Sequence, residues 1–173
     1  MDFFSEHIIK RKKTTQDVMS VIITFMVAFM AFYLILVQFG AGKLAVLIPI
    51  EIALVIFGVY MVISSLNVEY EYSVTNGELD IDKIIAKRKR KKFVRLNLKD
   101  VEYFALLDDK HIAVAEDPSV DCVMDASGSI DSPNVYFVIF FNNSQKVCLL
   151  FEPTKEMVEN FANYIPRSLN HTI

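Results

Sequence analysis

The chain has 173 residues, of which 53% are hydrophobic, carries a formal net charge of −3 and has two cysteines. That length excludes more than one ordinary domain beside the apolar segments, because the first 66 residues go to those segments and about 107 remain for anything soluble. Cys122 and Cys148 lack CxxC spacing and read as reduced thiols of a cytosolic domain, and the small net charge conceals a basic block at residues 87–92 and an acidic stretch over 108–131.

Residues 1–17 read as an N-terminal cytosolic or interfacial segment. Phe3, Phe4, Ile8 and Ile9 can share one side of a short helix, with Glu6, Lys10 and Arg11 elsewhere, the pattern of a helix lying on a lipid surface. A frayed terminus is the other reading. Two apolar runs follow, residues 18–39 and 44–66, separated by Gly40, Ala41, Gly42 and Lys43. A bilayer-spanning helix needs roughly 20 mostly apolar residues, so each run can cross once, and the short connector forces an antiparallel return. The first run exceeds the apolar region of a cleaved signal, so it is expected to stay. Lys10, Arg11, Lys12 and Lys13 precede it whereas the connector offers only Lys43, which places both termini in the cytosol and the protein in the cytoplasmic membrane as a multi-pass hairpin.

Glu51 is the one acidic residue within a span. Folding the hairpin about residues 40–43 brings it level with Phe32 and Tyr33, whose hydroxyl can then hydrogen-bond a protonated carboxyl. An intramembrane carboxyl is a functional candidate by default. The competing reading is a Glu near Pro49 that reaches shallow water or a neighbouring protomer, since no second ionisable group completes a relay.

Beyond the hairpin, Val68, Tyr70, Tyr72 and Val74 alternate with Glu69, Glu71, Ser73 and Thr75, the period of a strand with one buried face. Asn76-Gly77 is a two-residue turn signal, and Leu79 and Ile81 resume the alternation, which gives a β-hairpin over 68–86. Further strands are expected at 93–98, 101–107, 120–125, 134–141 and 146–152, with residues 142–145 turning the last pair. Thr154 then starts a helix over 154–165 with Met157, Val158, Phe161, Ala162 and Ile165 on its core face, until Pro166 ends it.

The segment YEYSVTNGELDIDKIIAKRKRKKFVRLNLKDVEYF and the closing FEPTKEMVENFANYIP resemble the opening strands and final helix of bacterial pleckstrin-homology-like domains. The whole chain is also similar to a family of uncharacterised small membrane proteins of Gram-positive bacteria that begin with Met-Asp-Phe-Phe-like residues and a Lys-rich segment before a helical hairpin. The resemblance implies an α+β membrane protein: a two-helix transmembrane hairpin, residues 18–66, then a small antiparallel β-barrel or sandwich of PH-like type over 67–173, capped by a C-terminal helix. It transfers no catalytic residue. Residues 111–131 depart from the compact connection that such a fold implies.

Lys87, Arg88, Lys89, Arg90, Lys91 and Lys92 are the sharpest soluble feature, read as a hairpin tip returning towards the membrane. There they can meet anionic lipid head groups or a protein partner. A solvated tip that only reinforces topology is the alternative, and nucleic acid is disfavoured because no stacking platform or recognition helix accompanies the run. Asp108, Asp109, Glu116, Asp117, Asp121, Asp125 and Asp131 lack the spacing of a calcium loop and read as a solvated acidic segment. His7, His111 and His171 fall outside any metal-ligand spacing, so neither a metal nor another cofactor is expected. No nucleophile elbow, phosphate loop or paired-carboxylate motif is present, and Ser127-Gly128-Ser129 has no base beside it. The expected function is therefore that of a membrane-anchored binding or scaffolding module, not an enzyme, with lipid and an unidentified protein as partners. The alternative is an accessory subunit or small homo-oligomeric transport component using Glu51 and Tyr33.

Overall fold

The structure is a computed structural model that describes residues 4–40, 47–108, 111–115 and 117–166. Residues 41–43 of the expected connector, the start of the second apolar run, Phe3, Asp109, Glu116 and His171 lie outside the described residues. Two compact units emerge. One is drawn from Met1–Lys12 together with Val68–Ile173, the other from Lys13–Asn67.

The Lys13–Asn67 unit holds helices α1 (Thr15–Gly40) and α2 (Ile48–Ser65). Asp17 reaches back so that the Thr14 backbone N–H and hydroxyl both donate to its Oδ2, at 2.9 and 3.1 Å, which satisfies donors that the first turn leaves open. Pro49 stands in the first turn of α2, where its missing N–H costs nothing. Both helices are apolar and long enough to cross a membrane.

In the other unit, strands β1 (Phe4–Lys10), β2 (Val68–Thr75), β3 (Glu78–Ile85) and β4 (Lys89–Asn97) form an antiparallel sheet in that order. The expected surface helix at the N-terminus is therefore corrected to a strand. Phe4 to Lys10 pair residue for residue with Thr75 to Glu69, which turns Ser5, His7 and Ile9 to one face and leaves Phe4, Glu6, Ile8 and Lys10 exposed on the other. The Asn76-Gly77 turn forms as expected, with both residues at positive φ (48° and 87°).

A turn of 3-10 helix at Leu98–Asp100 leads into β5 (Val101–Leu106), followed by helix α3 (Ile112–Ala115), β6 (Cys122–Asp125), β7 (Tyr136–Asn142), β8 (Gln145–Phe151) and helix α4 (Lys155–Phe161). These strands make a second four-stranded sheet, β5-β7-β8-β6, in which β6 runs parallel to β8. The two sheets do not close into a barrel. Between them lies one core, which includes Tyr70, Tyr72, Leu79, Ile81, Phe104, Val138, Leu149 and Phe151, sealed by Met157, Val158, Phe161 and Ile165 from the helix and the residues that follow it. Thr154 caps α4 by accepting from the Met157 N–H at 3.2 Å.

β7 and β8 are apolar without alternation because both their faces are covered. Phe137, Ile139, Cys148 and Leu150 point to a second cluster, which Val114, Ala115 and Val120 help to close. Val114, Ala115 and Val120, from the segment 111–131 that departs from a compact connection, thus serve as that cover.

The sheets are tied by Tyr72, which is fully buried and donates to the Ala126 carbonyl at 2.7 Å while its oxygen accepts from the Glu152 N–H at 3.3 Å. Glu152 in turn takes the Gly128 and Ser129 N–H groups on Oε1 (2.7 and 3.1 Å) and the Ser132 hydroxyl on Oε2 (2.9 Å). Tyr72→Phe leaves the Ala126 carbonyl and the Glu152 N–H without that partner, and is expected to cost about 1–3 kcal/mol in chemical denaturation. An unchanged midpoint would show that the bridge contributes nothing.

Candidate functional site

The basic run is placed by a turn and an edge strand. Ala86 and Lys87 adopt positive φ (56° and 55°), and Arg88 N–H donates back to Ile85 at 3.1 Å. The hairpin tip is therefore residues 86–88, and Lys89 to Lys92 belong to β4, correcting the expectation that the whole run is a tip. The register shifts between Ile81 and Asp82, whose partners are Val94 and Lys92, so Phe93 is the extra residue of a β-bulge. All six basic side chains are exposed.

They are not equivalent. Arg90 Nη2 is ion-paired with Glu71 Oε2, and Nη1 lies 3.9 Å from Asp82 Oδ2. Arg95, further along β4, grips Asp80 through Nε and, at 2.8 Å, through Nη2. Lys91 pairs in register with Lys83, whose ammonium sits 5.9 Å from the centroid of the Tyr70 ring. Lys87, Arg88, Lys89, Lys91 and Lys92 have no carboxylate partner among the described residues.

Strand pairing adds a second basic block that the sequence did not connect with the first. Val68 faces Ile85, Glu69 faces Lys10, Arg11 N–H donates to Val68 at 3.0 Å and Lys12 N–H to Gly128 at 2.7 Å. Lys10 to Lys12 and the 86–88 tip therefore lie at the same end of the first sheet. This is the end where the chain departs for α1 and returns from α2. No regular apolar alternation marks Phe4 to Lys10 as a strand, and its partner lies some 60 or more residues on.

On α1 the shielded positions are Asp17, Val21, Thr24, Ala28, Ala31 and Ile35, and on α2 Ile48, Glu51, Val55, Val59 and Ile63, the three-four spacing of a helix seam, with Ser64 beside the last. Glu51 lies on that seam, and its Oε2 is buried without a hydrogen-bond partner among the described residues. Tyr33 lies off it and is 59% exposed, so the structure does not bring the two together.

The acidic stretch is spent on turns. Asp108 accepts from the His111 N–H at 3.0 Å and contacts its Nδ1 at 2.6 Å; Asp117 accepts from Ser119 N–H at 2.7 Å; Asp121 from Lys146 N–H at 2.8 Å; Asp125 from the Ser127 N–H and hydroxyl at 2.8 and 2.7 Å. Asp131 is exposed. His7 stands beside the Tyr72 ring, centroids 6.0 Å apart.

A family model described as Bacterial PH-like domain (DUF6106) matches residues 1–171. No curated protein and no solved structure matches the chain.

Proposed function

We propose, since this chain belongs to the bacterial PH-like domain family, that it is a binding or scaffolding module without catalytic activity, anchored by its two apolar helices on the cytosolic face of the cytoplasmic membrane. Its basic surface docks on anionic lipid head groups and so fixes how the domain meets a protein partner. The observation that carries this reading is that Lys10 to Lys12 and Lys87, Arg88 and Lys89 lie at the same end of the sheet, from which the chain leaves for, and returns from, the apolar helices. A Lys or Arg near an anionic leaflet contributes about 1 kcal/mol within a Debye length, so even half of these cations can outweigh the entropy of holding the domain in one orientation.

The chain has no tryptophan, so Ala86→Trp provides a single fluorophore at the tip. Full-length protein is reconstituted into bilayers that carry bromine-labelled acyl chains. Strong quenching is expected with phosphatidylglycerol present and weak quenching in phosphatidylcholine alone, with added salt relieving it. Replacing Lys87, Arg88, Lys89 and Lys91 by Gln is expected to abolish the difference; equal quenching in the two lipids would sink the reading. A fragment beginning after α2 is unsuitable because it lacks β1.

The shielded Glu51 carboxyl, whose Oε2 has no hydrogen-bond partner among the described residues, supports a second reading, a protonatable group in a small transport assembly. The module reading expects Glu51→Gln to leave detergent-purified oligomeric state and vesicle proton permeability unchanged. A proton leak present in the parent protein and lost in the variant would favour transport.

A further inference from the structure

The outer face of the first sheet carries an arrangement that the docking surface does not use. Glu71 stands on a central strand with its side chain 8% exposed, whereas Arg90, its partner on the edge strand, is 58% exposed. Facing Glu71 are Glu6 from β1, Asp80 and Asp82 from β3, and Arg90, Lys92 and Arg95 from β4. Arg95 is already committed to Asp80. Asp82 stands farther off, its Oδ2 3.9 Å from Arg90 Nη1, a longer ion pair with no hydrogen bond. Among the described residues Glu71 is thus the carboxylate that holds Arg90 most closely over the sheet.

Resting on the docking reading, we infer that Glu71 is a latch on the lipid surface: ionised, it holds Arg90 on the sheet, and on acidification it releases Arg90 to anionic head groups. Two carboxyls from neighbouring strands share this spot, and like charges at close range favour uptake of one proton. Burial first, and the Glu6 carboxyl next, push Glu71 above the usual carboxylate range, with Arg90 opposing. The sign follows. The ion pair is complete above the raised value and is lost as pH falls through it. Arg90 shares its face of the exposed edge strand with Lys92, so its released guanidinium adds one cation to that edge.

The test uses full-length Ala86→Trp protein in brominated bilayers containing phosphatidylglycerol, titrated from about pH 8 to about pH 5. The docked-to-undocked ratio is expected to rise about fivefold on acidification, the effect of one added cation at an anionic surface. Glu71→Gln in the same background is expected to dock at the acid level throughout and to lose the pH response. Arg90→Gln is expected to lose the acid increment as well, which covers the case in which Glu71→Gln folds poorly. Docking that is pH-independent and unmoved by Glu71→Gln would overturn the latch and leave the docking reading standing. Absence of lipid-dependent quenching at every pH would overturn both.

Discussion

Removing residues 1–10 is expected to unfold the β domain, not to trim a loose end. The strand pairs with β2 along all seven of its residues, and Ile9 packs against the main core. Just beyond it, Arg11 and Lys12 donate backbone hydrogen bonds to Val68 and Gly128. Its loss strips one side of β2, where Tyr70 and Tyr72 are buried, and exposes that strand's backbone groups as a new edge. Several kcal/mol are at stake, a large share of the roughly 5–15 kcal/mol that keeps a domain folded. Limited proteolysis in detergent should show residues 68–166 cut rapidly in the truncated chain and slowly in the parent. Equal resistance would mean that β1 is dispensable.

The second large effect is expected at Phe104. Its ring is fully buried, stacks on Tyr136 at 5.3 Å, meets Phe161 edge-on at 5.7 Å and lies 6.3 Å from Phe151. It therefore joins the second sheet to α4. Phe104→Ala removes that ring from a site hemmed in by other rings, which leaves a cavity, and is expected to cost about 3–5 kcal/mol. Phe141→Ala is the control: that ring is 55% exposed, and its loss should stay within about 0.5 kcal/mol. Comparable losses at both positions would contradict the placement of the core.

What could be seen in the sequence was local. Asn76-Gly77 announced its hairpin because a two-residue turn demands positive φ, and Thr154 announced α4 because an open first turn needs a side-chain acceptor. The two apolar runs were legible from length alone. Pairings across long stretches of chain were not. Phe4 to Lys10 has its partner beyond both helices, and seven residues with two adjacent isoleucines fit a surface helix as readily as an edge strand. The parallel β6–β8 pair and the cover supplied by Val114, Ala115 and Val120 depend on a chain path that no turn signal marks.

The candidate site was half legible. The basic run stood out, but its division into a tip at Ala86 and Lys87 and a bulged strand depends on the register shift opposite Ile81 and Asp82. That Arg90 is held by Glu71 while its neighbours are open depends on the same register. Glu51 was singled out as the only acid in its span, but its position on the seam, away from Tyr33, depends on how the two helices face each other.

Every step from anchor to docking surface requires the domain to sit on the cytosolic side of the membrane. The chain carries its own reporter. Cys122 is exposed, whereas Cys148 is buried with its thiol pushed up to about 11 by that burial, so a maleimide at neutral pH reads Cys122 alone. With a membrane-impermeant maleimide, Cys122 is expected to stay unlabelled in intact cells and to label fully once they are permeabilised, with Cys122→Ser removing the signal. Full labelling in intact cells would place the domain outside and contradict the account.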